Sequence, residues 1–415
     1  MYQWSDEQLM IRDAVRQFID KEIRPRVDEF EHGDTPPYEV LRKLFATFGM
    51  DSSARARFSG QMEAQREAEA ARARGEEPPA RRPRDDDGDG GASSFTLIPI
   101  IELCRVCPGM VTAMGVSMGL TSAAIMSKGT IAQKERWVPE LLTMEKIGAW
   151  AITEPNSGSD AFGSMRSTAR RDGDEYLLNG SKTFITNGPY ADTTVFICKL
   201  DEGNDAADRK VLSFVLDRGM PGFEQSKPLR KMGMHSSPTG ELFLDDVRVG
   251  RDRLIGETED VAAGGREGAK ATFQQERSGV AAMALGIIEE CLDRSIAYAK
   301  DRVQFGQPIG EFQLIQDKLA RMEVARLNVE NLVFRFVEIT AAGKELSLAE
   351  ASAMKLYSAR AATEVALEAV QLFGGNGYMA EFRVEQLARD AKVLQIYAGT
   401  DEIQITHIAK DLLRR

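Results

Sequence analysis

Histidine and cysteine are scarce in this 415-residue chain: three of the first (His32, His235, His407) and four of the second (Cys104, Cys107, Cys198, Cys291). The histidines stand far apart in sequence, which weighs against a metal centre and against a histidine-based triad. Cys104 and Cys107 form a lone C-x-x-C with no second pair for zinc, and their apolar helical setting reads as two core thiols. Acid–base chemistry then falls to carboxylates. No run of eighteen apolar residues occurs, so no membrane-spanning helix is expected. The start, Met1–Tyr2–Gln3–Trp4–Ser5–Asp6–Glu7, has neither a basic segment nor an apolar stretch for secretion, and a cytoplasmic location is expected. A net charge of −11 lacks the basic footprint that nucleic acid needs. An anionic small molecule would require a locally basic pocket.

What is present divides by texture into three parts: residues 1–146, 147–252 and 253–415. The first is helical. Ser5 is a natural N-cap for an amphipathic run through Leu9, Ile11, Val15 and Phe18, and Pro36–Pro37 punctuates before a second run. A charged insertion at about 51–94 interrupts this part. Its segment Gln61–Arg74 holds strong helix formers without an apolar stripe, which supports only a solvated helix. Glu76–Ala92 is a Pro/Gly/charge linker. The small apolar run Val111–Met126 suits a helix packed closely against neighbours or a flat ligand.

From 147 to 252 short β runs alternate with turn signals, and strands are expected at Gly148–Ile152, Ser167–Arg171, Glu175–Lys182, Val195–Lys199, Val211–Leu216, Phe223–Gln225 and Glu241–Val249. Beyond 252 the helical period returns in four long segments, the pattern of a bundle. The fold class is therefore α+β: an N-terminal helical domain, a small antiparallel β domain and a C-terminal four-helix bundle.

Two strings carry the chemical signal. Ala151–Ile152–Thr153–Glu154–Pro155–Asn156–Ser157–Gly158–Ser159–Asp160 follows a strand and is dense in small and hydroxyl residues, which present donors to a phosphate or a flat ring. Gly180–Ser181–Lys182–Thr183–Phe184–Ile185–Thr186–Asn187–Gly188 repeats the theme. Further strings are Lys231–Met232–Gly233–Met234–His235–Ser236–Ser237–Pro238–Thr239–Gly240–Glu241–Leu242, Arg302–Val303–Gln304–Phe305–Gly306–Gln307–Pro308–Ile309 and Gln371–Leu372–Phe373–Gly374–Gly375–Asn376–Gly377–Tyr378. In this order, on a helical–β–helical chain, they resemble the acyl-CoA dehydrogenases. The likeness covers everything outside 51–94.

The resemblance implies a non-covalent FAD between the β domain and the bundle. Thr153 and Ser159 match its isoalloxazine and pyrophosphate loop, Ser159 also touching substrate, while Phe184, Ile185 and Thr186 match the strand beside the flavin. Arg302, Phe305 and Gln313, with Gln371, Leu372, Phe373, Gly374 and Gly375, match segments that hold a neighbouring subunit's FAD, so a homotetramer or homodimer is implied. Thr400, Asp401 and Glu402 match a further FAD-contacting turn. Arg277 and Gly399 match substrate contacts. The implied reaction is α,β-dehydrogenation of an acyl-CoA, with an electron-transferring flavoprotein as acceptor. An acyl-CoA oxidase, a flavin monooxygenase or a non-catalytic binding scaffold on the same fold are the alternatives.

One departure is chemical. Most relatives carry their catalytic base in a Tyr-Glu-Gly-Thr string, and here the string reads Tyr397–Ala398–Gly399–Thr400. Ala398 cannot move a proton. In the isovaleryl-CoA and long-chain members the base lies instead beside an arginine on a helix, and Gln275–Glu276–Arg277 resembles that arrangement, which makes Glu276 the candidate. A second departure is His235, where relatives commonly have arginine.

Overall fold

The computed structural model describes residues 3–33, 35–77, 91–260 and 265–414, with the backbone course alone for 91–95, 265–276 and Ser278. The expected linker at 76–92 and the side chain of Glu276 thus lie largely or wholly outside the described residues.

Eight helices come first: α1 Asp6–Phe18, α2 Val27–His32, α3 Tyr38–Thr47, α4 Met50–Ala73, α5 Gly91–Cys104, α6 Pro108–Gly115, α7 Ser122–Lys128 and α8 Ile131–Leu142. Local chemistry sets several boundaries. Ser5 accepts the Gln8 N–H while the Gln8 side chain accepts the Ser5 N–H, a capping box repeated by Thr130 with Gln133 at α8. Cys104 and Cys107 are fully buried free thiols whose pKa burial pushes up, as core residues should be.

Seven strands follow: β1 Gly148–Ala151, β2 Thr168–Asp172, β3 Glu175–Thr186, β4 Thr193–Leu200, β5 Val211–Asp217, β6 Phe223–Gln225 and β7 Thr239–Gly250. Each falls on an expected run. They form one sheet in the order β1-β4-β2-β3-β7-β6, with β5 on β4. The sheet is mixed, because β1 and β2 both run parallel to β4. Pairings between distant segments of this kind leave no local mark in sequence.

The C-terminal part holds α9 Gly265–Asp301, a hairpin of β8 Val303–Gln304 and β9 Gln307–Pro308, then α10 Gln313–Ala341, α11 Leu348–Phe373, α12 Val384–Val393 and α13 Asp401–Leu412. Helix α9 packs against α10, α11 and α5. One apolar core runs through both helical parts by way of Ile101, Ile287, Ile288 and Val365, and a second fills the β domain around Phe196, Phe214 and Leu244.

Two readings need correction. Helix α4 is not merely solvated: Ala54, Phe58, Met62 and Ala71 are buried at helical spacing. Phe58 and Met62 belong to a third apolar cluster with Trp137, Leu141, Ile152 and Met165, wedged between α8 and the sheet. Second, Pro108–Lys128 is long and apolar enough to cross a membrane by length and composition alone. Its buried Met110, Ala113 and Ile125, and the Ala113 carbonyl accepting from Asn187 at 2.8 Å, mark a core helix instead.

Candidate active site

The hydroxyl-rich loop after β1 is closed at its neck by Glu154. Its carboxylate accepts the backbone N–H groups of Arg166 at 2.6 Å and Ser167 at 2.9 Å, and meets the Lys182 ammonium at 2.8 Å. Lys182 also donates to the Ile152 carbonyl at 3.1 Å, so one buried cation ties β3 to both ends of β1's exit. Burial alone would raise the Glu154 carboxyl, but Lys182 and the N–H donors outweigh it and hold it below the ordinary range. Burial pushes the Lys182 ammonium down. The Thr183 N–H donates to the Thr153 carbonyl at 2.9 Å, which sets Thr153, half-buried, against β3. Ser159 stands exposed at the loop tip.

The pairing of β3 with β7 shifts register between Lys182 and Ile185. Phe184 sits in that bulge with φ +57° and is 69 % exposed, while Ile185 is buried and Thr186 half-buried. Asn187, fully buried, holds the strand's end: its amide donates to the carbonyls of Ala113 and Gly148, and its oxygen accepts from Tyr38. An exposed aromatic ring beside small polar groups is a surface made for a flat, partly polar partner.

The Tyr397–Thr400 turn lies between α12 and α13. Ala398 (φ +53°) and Gly399 (φ +88°) are both left-handed, and Ala398 is buried. Arg277, itself buried, brings Nε to 3.4 Å from the Ala398 carbonyl, and thereby fastens α9 to this turn. Thr400 caps α13, accepting the Ile403 N–H, Asp401 is buried against Arg360 at 2.9 Å, and Glu402 is exposed.

The remaining expected residues gather elsewhere. Arg302, Phe305 and Gln313 are exposed around the β8–β9 hairpin, with Phe305 96 % exposed. Gln371, Gly374 and Gly375 are exposed at the end of α11, while Leu372 and Phe373 are buried, and Phe373 stacks on Tyr298 with centroids 4.0 Å apart. The structure therefore joins Arg302–Gln313 with Gln371–Gly375 at the C-terminal end of α9, and Arg277, a third of the way along that helix, with the Ala398–Gly399 turn.

His235 bridges the N-terminal and β parts, its Nδ1 lying 2.8 Å from the Glu31 carbonyl oxygen and its Nε2 2.8 Å from that of Lys231. Behind it Asp390 of α12, fully buried, accepts the Met234 N–H. Sequence reasoning missed Glu154, Lys182, Asn187, Lys355 and Gln404. The one signal available was a charged or amide residue set within an otherwise apolar stripe.

Three acyl-CoA dehydrogenase family descriptions match: the N-terminal domain at 5–54 and 81–145, the middle domain at 149–247 and the C-terminal domain at 263–413. Residues 55–80 fall outside all three, which sets most of α4 apart from the matched N-terminal domain. The chain is 36 % identical over 409 residues to an acyl-CoA dehydrogenase of Bacillus subtilis, covering 99 % of this chain and 98 % of the relative. The structure of butyryl-CoA dehydrogenase from Megasphaera elsdenii superposes with a TM-score of 0.82 at 33 % identity, covering all of both chains. A glutaryl-CoA dehydrogenase from Mycobacterium smegmatis in complex with FADH2 gives 0.82 at 26 % identity, covering 99 % and 96 %. By its motifs, its fold and its matched domains, this oxidoreductase belongs to the acyl-CoA dehydrogenase family.

Proposed function

We propose that the enzyme converts an acyl-CoA thioester to the trans-2-enoyl-CoA, with Glu276 taking the α-proton. One observation carries this: Arg277 reaches the Ala398 carbonyl, so position 276 is the chain neighbour of a residue fastened to the turn where most relatives carry their base. A thioester α-proton is weakly acidic, and its removal needs a positioned carboxylate in a desolvated site. Gly399 would hold the acyl oxygen through its N–H, stabilising charge as the proton leaves.

The exposed Phe184 ring with the Thr153, Ser159 and Thr186 hydroxyls suits the apolar faces and polar edges of a flavin, and the exposed Phe305 ring with Gln313 and Gln371 at the end of α9 suits a second one. FAD, when bound, would supply the hydride acceptor at the β-carbon. Positions 277 and 298 of α9 are separated by about 30 Å at 1.5 Å per residue. One subunit can hardly bring both ends of that helix to one flavin, which supports a homodimer or homotetramer in which Arg302, Phe305 and Gln371–Gly375 serve a neighbour. An electron-transferring flavoprotein is the proposed acceptor, and the proposed location is cytoplasmic.

Anaerobic mixing with a panel of straight, branched and aromatic acyl-CoAs tests the reading. Wild type should bleach its flavin with at least one of them, and Glu276→Gln should slow that step at least a hundredfold. A Glu276→Gln enzyme bleached at the parent rate would remove the base assignment. Hydrogen peroxide released in stoichiometric amounts during aerobic turnover would replace the flavoprotein acceptor with oxygen.

A further inference from the structure

The three parts of the chain meet at residues 231–237, in the connection between β6 and β7. Toward the N-terminal part, His235 lies against the end of α2, with Nδ1 2.8 Å from the Glu31 carbonyl oxygen and Nε2 2.8 Å from that of Lys231. Toward the bundle, Asp390 of α12 accepts the Met234 N–H, and Arg389 donates to the Met232 carbonyl at 2.9 Å. Gly233 brings its backbone so close to α12 that a Cβ there would stand 2.6 Å from the Arg389 carbonyl oxygen. Lys231 holds the connection in shape from within, donating to the Met234 and Ser237 carbonyls and to the Thr239 hydroxyl.

This junction needs protons to be satisfied. Both ring nitrogens of His235 face carbonyl oxygens, which only accept, and an imidazole serves two acceptors only when it carries two N–H groups. The Glu31 carboxyl is buried, with Oε2 3.6 Å from Nδ1. Neither of its oxygens has a full hydrogen bond among the described residues, although the Ser236 N–H favours its charged form. Asp390 repels it from α12, and burial raises both carboxyls. The fixed cations on α12 are engaged elsewhere: Arg389 pairs with Glu385 at 2.6 Å, and Arg383 donates to Gln386. His32 lies edge-on to His235 with centroids 6.4 Å apart, and Cys107, Arg24 and Asp28 complete the titratable and charged groups around the site.

We propose that Glu31, Asp390 and His235 form a proton-held latch that clamps the β domain to both helical parts at weakly acidic pH and loosens as the pH rises past neutral. Glu31 is pushed up to about 8, by burial first and then by Asp390. Between its ordinary value of about 4.3 and that point the closed junction holds a proton that an opened one would release, so closure weakens across the interval. Lys231, pushed down to about 8 by burial, opposes the trend only above it.

Hydrogen–deuterium exchange of the full-length protein at pH 6 and pH 8 reads the junction directly. After correction for the intrinsic rise in exchange rate, protection of the peptide covering 231–238 should fall at least tenfold between the two, while the β4–β5 pair changes less than threefold. Glu31→Gln, neutral at every pH, and His235→Arg, a permanent cation, should each reduce the fall at 231–238 to less than threefold. Should His235→Arg fail to fold, Glu31→Gln decides. Equal protection at both pH values in wild type overturns the latch, as does a fall in soluble Glu31→Gln as large as that in wild type. A fall of one size throughout the molecule overturns it too, because the whole fold and not the junction would then be responding.

Discussion

Lys182 and Glu154 form an ion pair at 2.8 Å from which solvent is excluded, the lysine side chain being 0 % exposed and the glutamate 5 %. The pair stands at the neck of the loop that presents Thr153 and Ser159. Removing one charge strands the other in a low-dielectric interior, which costs more than removing both. Lys182→Met should therefore destabilise the fold by about 3–5 kcal/mol, and Lys182→Met with Glu154→Gln by clearly less. Urea unfolding of the two variants measures the difference. Equal losses would mean that the pair acts through packing alone.

Glu31 gives a pH dependence of defined sign. Burial first, and then the neighbouring Asp390 carboxylate, raise its pKa well above the carboxylate range, against the smaller opposing pull of Arg389 and Arg383. The folded state then holds more protons than the unfolded chain between the ordinary value of about 4.3 and the raised one, so stability falls as pH rises through that interval. Asp390 shifts in the same direction by burial. Lys231, pushed down to about 8 by burial, acts with the opposite sign, and only above that pH. Glu31→Gln should flatten the decline in melting temperature between pH 5 and 7.5. A wild-type decline that persists unchanged in the variant would assign it to other groups.

Helix α4 gives a third expectation, on the inserted segment. Phe58 is buried among Trp137, Leu141 and Ile152, and Arg55 reaches Glu145 at 2.5 Å while Gln65 accepts from Lys134 at 2.8 Å. Phe58→Ala should cost about 3 kcal/mol and Met62→Ala about 2 kcal/mol, the range for emptying core sites. Substituting the exposed Arg57 should change stability by less than about 0.5 kcal/mol. Chemical denaturation of the three variants reads this directly, and near-equal values would make α4 a passenger.

Much of the architecture was legible because it was written locally. Short β runs bounded by turn signals located all seven strands, and the Ser5 cap marked a helix start where side chain and backbone exchange hydrogen bonds. The parallel pairing of β1 and β2 with β4 was not legible, since it is decided by packing between segments some thirty to forty-five residues apart. Helix α4 was misread because alanines and glutamates dilute a stripe of only four buried residues. The site divides the same way. Thr153, Phe184 and Gly399 announced themselves in contiguous strings, whereas Lys355 and Gln404 mean nothing until two helices bring them behind one turn.

The left-handed backbone at Ala398 has a consequence for redesign. Its shape is enforced from outside, by groups that grip the flanking oxygens, so the methyl group there contributes little to maintaining it. A glutamate placed at position 398 would leave those gripping hydrogen bonds where they are, so a carboxylate can be offered at this turn by a single change of side chain.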